Sequence, residues 1–156
     1  LGLHPGHTST IRRIEGGMLS YHSDMDINTN PFELGLDKFI DLEKSFDFVG
    51  KDALIKIKKL GIQRKQVGLI IECEKLKGPN TKKWGIFKNQ QRIGQVTSAV
   101  YSPRLEQNIA LAMVDIEYSD INTSLKIKID DNLVDAKITV KPFFDPNKLI
   151  AKKSSI

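Results

Sequence analysis

Residues 84–115 read WGIFKNQQRIGQVTSAVYSPRLEQNIALAMVD. Apolar and polar residues alternate through much of this stretch, and β-branched and aromatic side chains are dense, which is the pattern of short half-buried strands. Strands are expected over Trp84–Lys88, Arg92–Tyr101 and Asn108–Asp115, with Lys88-Asn89-Gln90-Gln91 as a hairpin turn. Working outward, the same period of two covers Gln66–Glu74 upstream and Ser124–Ile129 and Leu133–Lys141 downstream, the last two joined at Asp130-Asp131-Asn132. Six short strands at this spacing predict a small antiparallel, Greek-key-like β-barrel.

Upstream of Gln66 the periodicity is helical. Ile11, Ile14, Met18 and Leu19 recur at helical offsets, so a helix is expected over Thr10–Ser20 with Thr8 or Ser9 as its N-cap. Gly16-Gly17 in its second half is locally costly and points to close packing against another backbone or a ligand. A second helix fits Asp52–Leu60, with Ala53, Leu54, Ile57 and Leu60 turned inward, lysines outside and Gly61 as the stop. Between them Phe32, Leu34 and Leu36 alternate with Glu33, Gly35 and Asp37, the pattern of a short strand or extended arm. The fold class expected is therefore α+β, a helix-and-loop segment followed by the barrel. Lys152 to Ile156 reads as a frayed tail.

The net charge of +5 is spread among acidic residues along the chain, without the clustered stripe that nucleic-acid binding requires. A free-standing nucleic-acid barrel would instead expose Phe87, Tyr101 and Arg92 together on one sheet face. No run of about 18 apolar residues exists to span a membrane. Cys73 is the single cysteine, sits in an apolar run and suits a reducing, cytoplasmic compartment. His4, His7 and His22, even with Asp24 and Asp26 nearby, lack the tight ligand spacing of a metal site, and no metal is expected. No phosphate-cradling glycine loop and no nucleophile signature is present.

Three ordered pieces carry a family resemblance. Arg13-Ile14-Glu15 with Gly17, Tyr21 and Asp24 comes first, then Asn30-Pro31-Phe32-Glu33-Leu34-Gly35-Leu36, then Phe48-Val49-Gly50-Lys51. Gly94-Gln95-Val96-Thr97-Ser98, Ser102-Pro103-Arg104-Leu105 and Asn108-Ile109-Ala110 extend the match toward the far end. This order resembles the folate-dependent aminomethyltransferase family, and Leu19-Ser20-Tyr21, the Asn30–Asp37 run and Lys56-Ile57-Lys58 are similar in wording to its dimethylsulfoniopropionate demethylase branch.

The resemblance implies that residues 1–61 are the carboxy-terminal part of a folate-binding domain and 62–156 the barrel domain. Tetrahydrofolate is the implied cofactor, with a small methyl or aminomethyl donor as substrate and a missing amino-terminal folate-binding half as partner. The main expectation is methyl transfer from a dimethylsulfonium compound to tetrahydrofolate; the alternatives are aminomethyl transfer or a non-catalytic folate-binding relative. Against the last, the chain has Asp47-Phe48-Val49-Gly50-Lys51 where iron-sulfur-assembly relatives carry K-G-C-Y-x-G-Q-E. The family's catalytic aspartate lies upstream, so no catalytic residue is assigned here.

Arg13, Glu15 and Tyr21 are the candidate cofactor-binding residues. A guanidinium and a carboxylate on one helix match the donor and acceptor edge of a pterin. The competing expectation is an ion-pair network tying Arg13, Glu15 and Asp24 to the loop. Ser9 stands where the family's folate-contacting arginine would be, and the family's carboxy-terminal tyrosine has no counterpart.

Overall fold

The computed structural model describes residues 9–44, 46–147 and 149–153. Its framework is a closed barrel of six strands, β1 (Arg64–Glu72), β2 (Trp84–Lys88), β3 (Gln91–Ser102), β4 (Gln107–Asp115), β5 (Ser124–Ile129) and β6 (Asn132–Thr139). The spatial order is β1-β4-β3-β2-β5-β6, β6 pairs back to β1, and every neighbouring pair is antiparallel. The meander β2-β3-β4, with β1 returned beside β4 through residues 73–83, is a Greek-key arrangement. Each strand lies within two residues of its expected ends.

The turns explain the register. Asn89 and Gln90 both have positive φ, at 48° and 67°, the twist a two-residue hairpin needs between β2 and β3. Asp130 has φ 52° in the turn that pairs Ile129 with Asn132.

Alternation fills the barrel. Val67, Leu69 and Ile71 of β1 point inward with Ile86, Val96, Ala110, Ala112, Leu125, Ile127 and Ile138. The other side of the β1-β4-β3 wall is also covered. Ile14 packs there on Val100, Ile109 and Leu111, flanked by Ile11, Leu19 and Phe143. Burying Ile14 completely is worth about 1.5–3 kcal/mol and ties the amino-terminal helix to the barrel wall. Gly68 leaves room for Phe143 in this second core, since a Cβ there would sit 3.0 Å from the ring.

Outside the barrel, several expectations are corrected. The first helix, α1 (Thr10–Glu15), stops well short of Ser20 because Gly16 closes it and Gly17 turns the chain with φ 64°. A Cβ on Gly17 would meet Lys141 Cβ and Pro142 Cα at an ordinary 3.6 Å, so the positive φ of the turn is what calls for glycine there. The Phe32–Leu36 arm is a series of turns instead of a strand. Asn30 Oδ1 accepts from the N–H groups of Phe32 and Glu33, and Gly35 adopts φ 70°, a local geometry that outcompetes extension.

The second helix, α2 (Lys51–Leu60), ends at Gly61 as expected, yet none of its residues is buried and Leu60 is 81% exposed. Near the end of the chain, Leu149–Lys153 forms α3 where a tail was expected from Lys152; residues 154–156 lie outside the described residues. No helix among the described residues is long and apolar enough to cross a membrane.

Candidate functional site

The polar heart of the molecule lies where α1 and the turn after it meet β3. Ser9 caps α1, its Oγ accepting from the Arg12 N–H at 3.4 Å. One turn on, the Arg13 guanidinium spans three elements. Nη1 donates to Asp24 Oδ2 at 2.6 Å and to the Met18 carbonyl at 2.9 Å, while Nη2 donates to Ser98 Oγ at 2.9 Å.

Asp24 is 3% exposed, and its carboxylate is saturated by neighbours. Oδ1 accepts from the hydroxyls of Thr97 at 2.6 Å and Ser98 at 2.7 Å; Oδ2 accepts from the Ser20 N–H at 3.0 Å as well as from Arg13. Both hydroxyls can face one carboxylate because β3 shifts register between Val96 and Ser98. A bulge re-aims side chains in this way.

Glu15, buried beside it, works in a different direction. Its Oε1 accepts from Ser102 Oγ at 2.5 Å, Oε2 faces Arg104 Nη1 at 3.8 Å, and its backbone carbonyl accepts from the N–H groups of Phe143 and Phe144. Ser102 Oγ in turn accepts from the Leu105 N–H at 3.1 Å. Arg13 and Asp24 therefore form one clamp, and Glu15 a second that fixes the 102–105 turn and the 143–144 segment. The network foreseen from sequence is present, with Glu15 bonded to β3 and the carboxy-terminal segment instead of to the loop.

Tyr21 faces outward. It is 54% exposed, its ring meets His22 edge-on at a 4.5 Å centroid separation, and the turn beneath it is held by His22 N–H to Met25 O at 2.8 Å and Asp24 N–H to Ser20 O at 2.9 Å. Arg13 and Glu15 thus point into protein partners, whereas Tyr21 presents a ring to solvent on a turn that Asp24 fixes from below.

Two groups on the same wall had no sequence signal of their own. Lys141 Nζ donates to Gln66 Oε1, while the Gln66 Nε2 is buried without a hydrogen-bond partner among the described residues. Burial pushes the Lys141 ammonium down to about 8, partly offset by the nearby Asp24 carboxylate and reinforced by Lys65. Gln66 reads as an ordinary outward strand residue and Lys141 as an ordinary surface lysine. Only the return of the 141–144 segment under Gly17 brings them together. Thr97 and Ser98 did carry a faint signal, because their adjacent hydroxyls sit where the alternation of β3 breaks.

The remaining candidates disperse. Among the described residues no group of three or more His, Cys, Asp or Glu could hold a metal ion, and His4 and His7 lie outside the described residues. Arg92 and Phe87 are register partners, but Tyr101 lies nine residues further along β3, roughly 30 Å away in extended chain, with Lys75 Nζ 4.3 Å above its ring. The aromatic and basic residues of a nucleic-acid surface do not converge. A wide depression of about 760 Å³, lined in part by Phe87, Lys126, Lys128 and Leu133, opens on the β2-β5-β6 wall and shares no residue with the Arg13–Asp24 cluster.

Fold and site together define a Greek-key barrel domain clamped by buried polar pairs to a helix-and-turn segment that precedes it. The chain belongs to the family of the glycine cleavage T-protein C-terminal barrel domain, whose sequence profile matches residues 64–145. It is 38% identical over 133 residues to an aminomethyltransferase of Listeria monocytogenes, covering 85% of this chain and 36% of that protein. It is 39% identical over 142 residues to an aminomethyltransferase of Thermosynechococcus vestitus, covering 90% of this chain and 37% of that one. The crystal structure of the glycine cleavage system aminomethyltransferase T from Bartonella henselae shares the fold with a TM-score of 0.79 at 23% identity, over 87% of this chain and 38% of that chain. The chain spans little more than a third of the length of these relatives.

Proposed function

We propose that this chain is the carboxy-terminal portion of a tetrahydrofolate-dependent aminomethyltransferase. The observation that carries the reading is the match to aminomethyltransferases over 85% and 90% of the chain, well beyond the barrel domain matched at residues 64–145. The demethylase wording rests on Leu19-Ser20-Tyr21, the Asn30–Asp37 run and Lys56-Ile57-Lys58, and the relatives found are aminomethyltransferases. The aminomethyl alternative therefore replaces sulfonium demethylation as the main reading.

The residues present suit a folate unevenly. Tyr21 offers an exposed, backbone-fixed aromatic face on which a pterin could lie, while the Glu15 carboxylate is directed to Ser102 and Arg104. Tyr21 would hold the cofactor directly, and Arg13 and Glu15 would act by holding the turn and the carboxy-terminal segment in place. When bound, tetrahydrofolate would accept the one-carbon unit at its N5. The contribution of this chain is positional: a rigid wall that fixes an aromatic contact and excludes water.

The test replaces the corresponding third of the Listeria aminomethyltransferase by this chain. The folded chimera should transfer carbon from an aminomethyl donor to tetrahydrofolate and leave dimethylsulfoniopropionate untouched. In it, Tyr21→Ala should weaken tetrahydrofolate binding roughly tenfold, about 1.4 kcal/mol, with the donor KM unchanged. Turnover of the sulfonium compound in place of the aminomethyl donor would overturn the assignment.

A further inference from the structure

The segment between the polar clamp and the barrel carries more uncovered apolar surface than a self-contained domain keeps. Ala53, Leu54, Ile57 and Leu60 form one stripe roughly 120° wide along α2, the width of a core-facing helix surface, yet no residue of the helix is buried. Ile27, at 89% exposure, and Phe39, at 75%, lie in the same segment, and Val49 is fully exposed just before the helix. By contrast the barrel buries its inward side chains almost completely. Lys56, Lys58 and Lys59 lie off the stripe, giving a hydrophobic centre with a charged margin. An uncovered apolar stripe of this kind marks an interaction site.

We propose that the α2 stripe, with Phe39 and Val49, is a docking surface for the part of an aminomethyltransferase that this chain does not span, an inference that rests on the reading above. The lengths favour that occupant. The relatives match this chain over little more than a third of their own length, and the matched family domain is the C-terminal barrel, so in them a body about one and a half times the size of this chain lies outside the match. A helix designed with an inward face but left bare is accounted for when that body supplies the other side. The barrel offers no unpaired strand edge to such a body, being closed.

Hydrogen exchange tests this without depending on catalysis. In the chimera with the Listeria enzyme, amides of residues 51–60 should exchange at least 100-fold more slowly than in the isolated chain, while β3 and β4 amides exchange alike in both. In the isolated chain the double substitution Ile57→Asp and Leu60→Asp should leave the melting temperature unchanged. Unprotected α2 amides in a folded chimera would overturn the proposal. So would an isolated chain that is dimeric and becomes monomeric on the double substitution, since the occupant would then be a second copy. Should the chimera fail to fold, the isolated chain is titrated calorimetrically with the amino-terminal two-thirds of the same relative, and absence of binding counts against the proposal as firmly. Protection without aminomethyl transfer would sink the functional reading and leave the docking surface standing; transfer with bare α2 would do the reverse.

Discussion

Asp24 concentrates more hydrogen bonds than any neighbour in its cluster, accepting from Arg13, Ser20, Thr97 and Ser98. Asp24→Asn keeps the volume but leaves the largely buried Arg13 guanidinium without its counter-charge, which should cost about 3 kcal/mol. Denaturant unfolding checks this, and a midpoint within experimental error of the parent would refute it. Lys141 gives the second residue-level prediction. Its folded pKa is lowered to about 8 from 10.5, so between those values the unfolded chain still binds the proton while the folded chain has released it. Stability contributed by this group therefore rises as pH climbs from about 8 toward 10.5 and is level below that window. The difference in unfolding free energy between the parent and Lys141→Met should grow in the parent's favour across the window; a pH-independent difference would contradict it.

Elements explain why the clamp has somewhere to hold. The β3 bulge presents Thr97 and Ser98 together, and the pairing around it brings β3 close to β4 at Gly94. A Cβ on Gly94 would lie 2.3 Å from the Met113 carbonyl oxygen and 2.9 Å from Val114 Cα, both backbone atoms that cannot swing aside. Gly94→Ala should therefore destabilise by about 3 kcal/mol or more. Gly78→Ala, where a Cβ meets nothing within 4 Å, is the control and should shift stability by less than about 0.5 kcal/mol. Equal melting temperatures for the two variants would show that the strands can separate locally.

For the whole molecule, the proposed function implies that a chain spanning a third of its relatives' length supplies a folate site with one wall only. Ligand pockets of this size class bury about 70–90% of their ligand, and Tyr21 on an open turn encloses little. The isolated chain should bind tetrahydrofolate no tighter than about 1 mM, worth roughly 4 kcal/mol, and turn over neither an aminomethyl donor nor dimethylsulfoniopropionate. Calorimetric titration showing micromolar affinity would mean that the site is complete within these residues.

The barrel was legible because its determinants are local. A period of two, hairpin residues such as Asn89-Gln90 and β-branched runs specify strands and their ends without reference to the rest of the chain. The existence of both helices followed from spacing alone for the same reason. What the local pattern could not supply was which surface meets which. The inward face read for α2 stays uncovered among the described residues. The turn over Pro31–Gly35 overrode an alternating pattern because Asn30 captures two backbone donors. Likewise Glu15 bonds to Ser102 and not to the loop, and Lys141 meets Gln66, through contacts spanning 87 and 75 positions of sequence. Burial of charge is decided by such long-range closure, and only the folded chain contains it.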